Sequence, residues 1–158
     1  MLQRIQTVYL TIAFIASVLL FFFPVAKILS MAGGKLVEYH FRLTGIMKME
    51  DDSLSLYAYQ PILLPLLIII TISLIIAIFM YKNRTKQVRF VAFVFLFVAA
   101  LIGLTFYFVD KFGTLHNTNP NYKQFGFLLP IIIVIMLVLT NKAIKKDEMK
   151  VRQSERLR

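Results

Sequence analysis

Residues 62–80 read Ile62-Leu63-Leu64-Pro65-Leu66-Leu67-Ile68-Ile69-Ile70-Thr71-Ile72-Ser73-Leu74-Ile75-Ile76-Ala77-Ile78-Phe79-Met80, an unbroken run without a charged side chain. A helix rises about 1.5 Å per residue, so roughly 20 such residues match a hydrocarbon core of about 30 Å. Three further runs, 5–23, 90–109 and 127–140, also lack Asp, Glu, Lys, Arg and His. The last is shorter, but Ala143 and Ile144 follow it, and Lys142 can snorkel from the helix end. Inside a bilayer the backbone must satisfy its own hydrogen bonds, so each run is predicted to be a helix.

The whole composition fits this pattern. Of 158 residues, 59% are hydrophobic and only 16% charged, and there is no cysteine. Mean hydropathy is +0.75. Soluble domains carry about 25% charged residues. High hydrophobicity excludes disorder, and the lack of cysteine excludes a disulfide scaffold, a thiolate metal site and a cysteine nucleophile. The net charge of +10 would suit nucleic acid only on a soluble fold with a basic face. The expected fold class is therefore an all-α membrane protein. Four transmembrane helices at about 5–24, 61–80, 90–109 and 127–144 form a bundle (1–144), with a small hairpin in the outer loop 25–60 and a basic cytoplasmic helical tail at 145–158.

The first run is expected to be retained rather than cleaved as a signal peptide. It is longer than the usual core of about 7–15 residues and ends in Phe21-Phe22-Phe23-Pro24 without a small-x-small site. Loop charges give the orientation. Arg4, the 81–89 loop and the tail hold 12 basic residues, against six in the two outer loops. Both termini and the 81–89 loop are thus expected in the cytoplasm. Tyr57, Tyr59, Tyr107, Tyr122 and Phe125 flank the outer ends and Tyr9 and Tyr81 the inner ones, as an interfacial belt would.

Leu63-Leu64-Pro65-Leu66 and Leu128-Leu129-Pro130-Ile131 suggest a weak repeat of two hairpins. Ala13 with Ser17, Ser73 with Ala77, and Ala99 with Gly103 are small pairs four apart, the candidate helix-packing positions. The fourth run has no small residue between Phe127 and Thr140, so it is expected at the bundle's periphery.

In the first outer loop, Lys35 to Thr44 is rich in β-formers between Gly33-Gly34 and Gly45, which predicts a strand or short hairpin. Residues 117–121, Asn-Thr-Asn-Pro-Asn, read as turns. The tail continues the fourth helix without a Gly or Pro stop. Glu148 with Arg152, Asp147 with Lys150 and Glu155 with Arg158 fall at helical spacings. Its few apolar residues make it a poor lipid-buried helix, but its charge suits anionic headgroups or a partner.

Catalytic chemistry is not visible. His40 and His116 have no ligand at i+3 or i+4, and Glu38 with His40 is too small a set for zinc. No phosphate-cradling glycine loop exists. The apolar runs hold no ionisable group of the kind proton-coupled transporters use; only Gln6 and hydroxyls such as Thr7, Tyr9, Thr11, Ser17, Thr71, Ser73 and Thr105 add polarity. No catalytic residue, cofactor or metal ligand is assigned. Arg4 is expected to pair with Asp147 or Glu148 if the first and fourth helices are neighbours.

The opening Met1-Leu2-Gln3-Arg4-Ile5-Gln6-Thr7-Val8-Tyr9-Leu10 and the tail Lys142-Ala143-Ile144-Lys145-Lys146-Asp147-Glu148-Met149-Lys150-Val151-Arg152 resemble a family of small four-span membrane proteins from Bacteroidota, the domain of unknown function family 4293. The resemblance covers the whole layout. Its usual Ser-x-Asp-Arg-Leu-Arg ending is here Ser154-Glu155-Arg156-Leu157-Arg158. It implies an inner-membrane protein and brings no activity with it. Function is therefore expected to be that of a non-enzymatic accessory or scaffold subunit. Its candidate contacts with a partner or anionic lipid are Arg4, Lys145, Lys146, Asp147, Glu148, Arg152, Arg156 and Arg158. A small oligomeric transporter or channel is the alternative, and a membrane enzyme acting on a lipid-linked substrate the third. Lipid, a membrane-complex subunit or a second copy are the expected partners, and nucleic acid is not.

Overall fold

The computed structural model describes residues 3–32, 35–50 and 53–156; within these, the side chains of 3, 4, 32, 35, 36, 50, 53, 54, 82, 84, 147, 148 and 150–156 lie outside the description. In chain order the elements are α1 (Gln3–Leu19), β1 (Ala26–Ala32), β2 (Lys35–Arg42), β3 (Gly45–Glu50), β4 (Ser53–Tyr59), α2 (Leu63–Phe79), a 3₁₀ turn at Met80–Lys82, α3 (Arg84–Leu115) and α4 (Phe125–Arg156).

The all-α expectation is corrected by the segment between α1 and α2. It is a four-stranded antiparallel sheet in the order β1-β2-β3-β4, not a loop with one hairpin. Alternation decides it. Ala26, Ile28 and Ser30 of β1 are buried, as are Val37, Tyr39 and Phe41 of β2, while Lys27, Leu29, Glu38 and His40 point the other way. Register follows from that pleat: Ile28 faces Tyr39 and Phe41 faces Ile46. A bulge next to Met47 shifts β4 by one residue and turns Tyr57 toward Tyr39, at 5.3 Å between ring centroids.

The four-span expectation is corrected as well. Among the described residues, only Thr85–Leu115 and Phe125–Lys146 are helices long and apolar enough to cross a membrane; the apolar parts of α1 and α2 are shorter, Ile5–Leu19 and Leu63–Phe79. Seventeen residues rise only about 25 Å. Each chain passage loses length at its sheet end, where residues 20–25 and 60–62 turn toward strands instead of continuing the helix.

α1 packs against α4 and α2, and α3 packs against α2 and α4. One apolar core runs from Leu10, Leu67, Leu101 and Leu137 in the helices to Ile28, Phe41 and Ile46 in the sheet. The sheet closes one end of the helices. Tyr39 meets Phe112 at 5.4 Å and His116 at 5.2 Å, and Phe23 meets Phe125 at 5.1 Å. α3 ends in a Schellman motif: Thr118 N–H donates to the Gly113 carbonyl at 3.0 Å and Asn117 N–H to Thr114 at 3.2 Å. Asn117 takes the left-handed conformation, φ 51°, that asparagine tolerates better than most residues. The chain then reaches β1, where Lys27 and Asn121 exchange backbone hydrogen bonds of 3.0 and 2.8 Å. That bridge covers the β1 edge of the sheet.

The proposed hairpin repeat is not matched by the architecture. A sheet follows α1, whereas α3 and α4 are joined by a short loop, and Pro65 is the third residue of α2 while Pro130 is the sixth of α4.

Candidate functional site

Chain order and packing put two chemically different ends on the molecule. At one end lie the sheet and the 116–124 loop. At the other lie the start of α1, the 80–83 turn and the end of α4. Counted along the sequence, segments 24–60 and 110–126 carry six basic and five acidic residues, whereas segments 1–4, 81–89 and 141–158 carry 12 basic and three acidic ones.

At that basic end Lys145 and Lys146 are exposed on α4. α4 continues as one helix to Arg156. The side chains of Arg4, Asp147, Glu148, Arg152 and Arg156 lie outside the described residues, as does Arg158 altogether, so the expected pairing of Arg4 does too. The condition set for that pairing is met: α1 and α4 are neighbours. One residue that sequence reasoning missed ties this end together. Gln87 is buried, and its Nε2 donates to the Ala77 carbonyl at 2.9 Å. The last carbonyls of a helix lack intrahelical donors, and this amide satisfies one across the α2–α3 turn. An isolated glutamine beside a basic loop gives no periodic signal that would have singled it out.

The outer face of the sheet holds a cluster of ionisable groups. Lys27 Nζ sits 2.7 Å from Glu38 Oε1, and His40 Nε2 lies 3.2 Å from the same oxygen without the alignment of a hydrogen bond. The Lys27 ammonium, by its hydrogen bond first, holds the Glu38 carboxyl below its ordinary range against the opposing effect of burial. Burial, then the Lys27 charge, pushes the His40 imidazole down. A neutral imidazole beside an ionised carboxylate is a usable base pair in principle, but Lys27 already occupies the carboxylate. Among the described residues no group of three His, Cys, Asp or Glu side chains is placed to hold a metal. Sequence reasoning considered Glu38 with His40 and missed Lys27, which comes from the neighbouring strand.

A second polar contact was also missed. Tyr122 donates its hydroxyl to Asp110 Oδ1 at 2.5 Å, which locks the 116–124 loop onto α3. Burial first, then Asp110, raises the Tyr122 phenol.

Five hydroxyls of the helices are spent on their own backbone. Thr11 donates to Thr7 O, Ser17 to Phe14 O, Thr71 to Leu67 O, Thr105 to Leu101 O and Thr140 to Met136 O, all at 2.7–2.9 Å. Each is thus folded onto its own helix. The small pairs divide. Ala13, Ser17 and Ala77 are buried and Ser73 half-buried, so α1 and α2 use theirs inside the chain. Ala99 and Gly103 are exposed, and nothing lies within 4 Å of a Cβ built on Gly103.

With this layout in place, comparison with known families is decisive for membership. The profile of the domain of unknown function DUF4293 matches residues 2–157, which is almost the whole chain. The chain belongs to the DUF4293 family. No curated protein matches it. The DUF4293 match spans both the sheet and all four helices, so the family unit is this whole arrangement rather than its helices alone.

Proposed function

We propose that this DUF4293 protein is embedded in a bacterial inner membrane as a non-enzymatic accessory or scaffold subunit. In this reading its basic, cytoplasmic end contacts a partner or anionic lipid. The observation that carries the proposal is the exposure of the long helices. Only 28% of the apolar window of α3 and 33% of that of α4 is buried. The core helix of a water-soluble domain would be mostly covered. Here Phe93, Leu96 and Phe97 on α3 and Leu128, Ile131, Ile135 and Val138 on α4 face outward. A run of exposed apolar side chains along two helices is unusual on a soluble monomer, whereas hydrocarbon solvates it without cost. Ile68, Ile69, Ile72 and Ile76 extend the same surface over α2.

Charge supports the orientation. Basic residues concentrated at one end of apolar helices mark the cytoplasmic side, which leaves the sheet on the outer side. The scaffold role rests on three features. Five helix hydroxyls bond to their own helix, which disfavours a hydrophilic channel within one chain. The Glu38 carboxylate is occupied by Lys27, which disfavours acid–base chemistry. Lys145 and Lys146, exposed on α4, offer a basic surface for a partner.

The test is purification of the full chain from native membranes in mild detergent. A stoichiometric partner that disappears when residues 145–158 are deleted is expected. A lone monomer, unchanged by the deletion, would contradict the scaffold role.

A further inference from the structure

The flank of the molecule between α3 and α4 is not smooth. A cavity of about 270 Å³ is lined by Val25, Ile102, Thr105, Phe106, Tyr122, Phe127, Pro130 and Ile131. Val25, Thr105 and Pro130 are buried and form its floor, whereas Phe106 and Ile131 are exposed and form its lip. Tyr122 closes the end toward the sheet, with its ring 5.3 Å from Phe106 and 5.8 Å from Phe127.

Water is a poor occupant. The Thr105 hydroxyl is spent on the Leu101 carbonyl, and the Tyr122 hydroxyl on Asp110. A buried water needs two to four polar partners, and an apolar cavity of about 150 Å³ stays dry yet accepts benzene. The present cavity is nearly twice that size and its wall is hydrocarbon. Its mouth opens on the outward surface of the two helices that are long enough to cross a membrane.

Depth narrows the occupant. Thr105 lies five residues before Asp110, or about 7 Å along the helix. Asp110 and Lys111 are exposed and charged, which sets the polar boundary near their level. The cavity therefore sits in the hydrocarbon just beneath the headgroups of the sheet-side leaflet. Lys123, next to the closing Tyr122, is exposed at that boundary and has no ion pair among the described residues. A phospholipid offers the complementary set, with an upper acyl segment for the cavity and a phosphate for the lysine.

We propose that the α3–α4 cavity binds one acyl chain of a sheet-side-leaflet phospholipid, closed from above by Tyr122. The proposal rests on the membrane-embedded reading. Val25 of the α1–β1 junction forms part of the floor, so a bound chain would brace the sheet against the α3–α4 pair.

The full chain is reconstituted in vesicles of phosphatidylethanolamine and phosphatidylglycerol, extracted in mild detergent and weighed intact by native mass spectrometry. One retained phospholipid per chain is expected. Thr105→Phe fills the cavity and should lower its occupancy at least fivefold, while Ala100→Phe, exposed elsewhere on α3, should leave it unchanged. Ile131→Trp at the exposed lip is a second blocking variant. The chain has no tryptophan of its own, so fluorescence of that residue reports folding separately, and a folded Ile131→Trp protein should also lose the lipid. Retention by both folded blocking variants at the level of the unsubstituted chain would overturn the proposal. So would the absence of any retained lipid from a chain that resists alkaline extraction from the vesicles, an outcome that leaves the membrane reading standing. A chain washed out by alkali would overturn both. An isoprenoid mass on protein purified directly from native membranes, in place of a phospholipid, would overturn the acyl-chain assignment.

Discussion

Gly126, the second residue of α4, lies against the carbonyl of Pro24 so closely that a Cβ at position 126 would collide with that oxygen. The contact joins the exit of α1 to the entry of α4 and thereby sets where the sheet begins. Gly126→Ala is expected to destabilise the protein by about 1–3 kcal/mol, the usual range for forcing atoms into a filled site. Gly103→Ala is the control. Its Cβ would meet nothing, and the better helix former should be neutral or stabilising by up to about 1 kcal/mol. Thermal melts of both variants in the same detergent check the contrast.

The ionisable set on the sheet predicts a dependence on acid. The His40 imidazole is depressed in the fold by burial and by Lys27, with Arg42 adding to this and Glu38 opposing it. An unfolded chain therefore binds a proton that the folded sheet resists. Stability is fully present above the ordinary histidine value of about 6.5 and falls as pH drops through it. The depressed Glu38 carboxyl has the same sign in a lower window, below about 4.5. The melting temperature should decline between pH 7.5 and 5.5, and His40→Gln should flatten that decline.

Tyr122 predicts the opposite limit. Its phenol is raised, so its contribution is complete below the ordinary tyrosine value of about 10 and is lost as pH climbs past the folded value. An ultraviolet titration should show a tyrosine step above the ordinary range. Tyr122→Phe should remove that step and cost about 1 kcal/mol, the net value of an ordinary hydrogen bond.

Lys145 and Lys146 are exposed at the basic end, so reversing both to Glu should barely move the melt, since exposed charges contribute little to folding. The same double variant should lose most of the partner recovered from native membranes. Full recovery would place the contact elsewhere.

How far the sequence spoke differs by element. The charge-free runs at 62–80 and 90–109 coincide with α2 and the middle of α3, because an apolar helix needs nothing beyond its own backbone to be legible. The sheet was visible only around Lys35 to Thr44. β1 (Ala-Lys-Ile-Leu-Ser-Met-Ala) and β4 (Ser-Leu-Ser-Leu-Tyr-Ala-Tyr) alternate too briefly to outweigh the long runs on either side. The hairpin turn at Leu43-Thr44 also lacks the Asn-Gly signal of a tight hairpin. Crossing capacity was overread in α1, where the run to Phe23 includes residues that leave the helix at Leu19. Contacts between distant segments, such as Lys27 with Glu38 and Tyr122 with Asp110, depend on register and loop path, which local pattern does not encode.

In the proposed membrane-embedded chain, the sheet and the basic end face opposite sides. The chain has no cysteine, so single Met31→Cys and Lys145→Cys variants each carry one reactive thiol; Met31 is 79% exposed on the sheet, and Lys145 is exposed at the other end. Treated with a membrane-impermeant maleimide on spheroplasts, Met31→Cys should label on intact membranes and Lys145→Cys only after they are permeabilised. Equal labelling of both variants on intact membranes, or labelling of Lys145→Cys alone, would contradict that orientation.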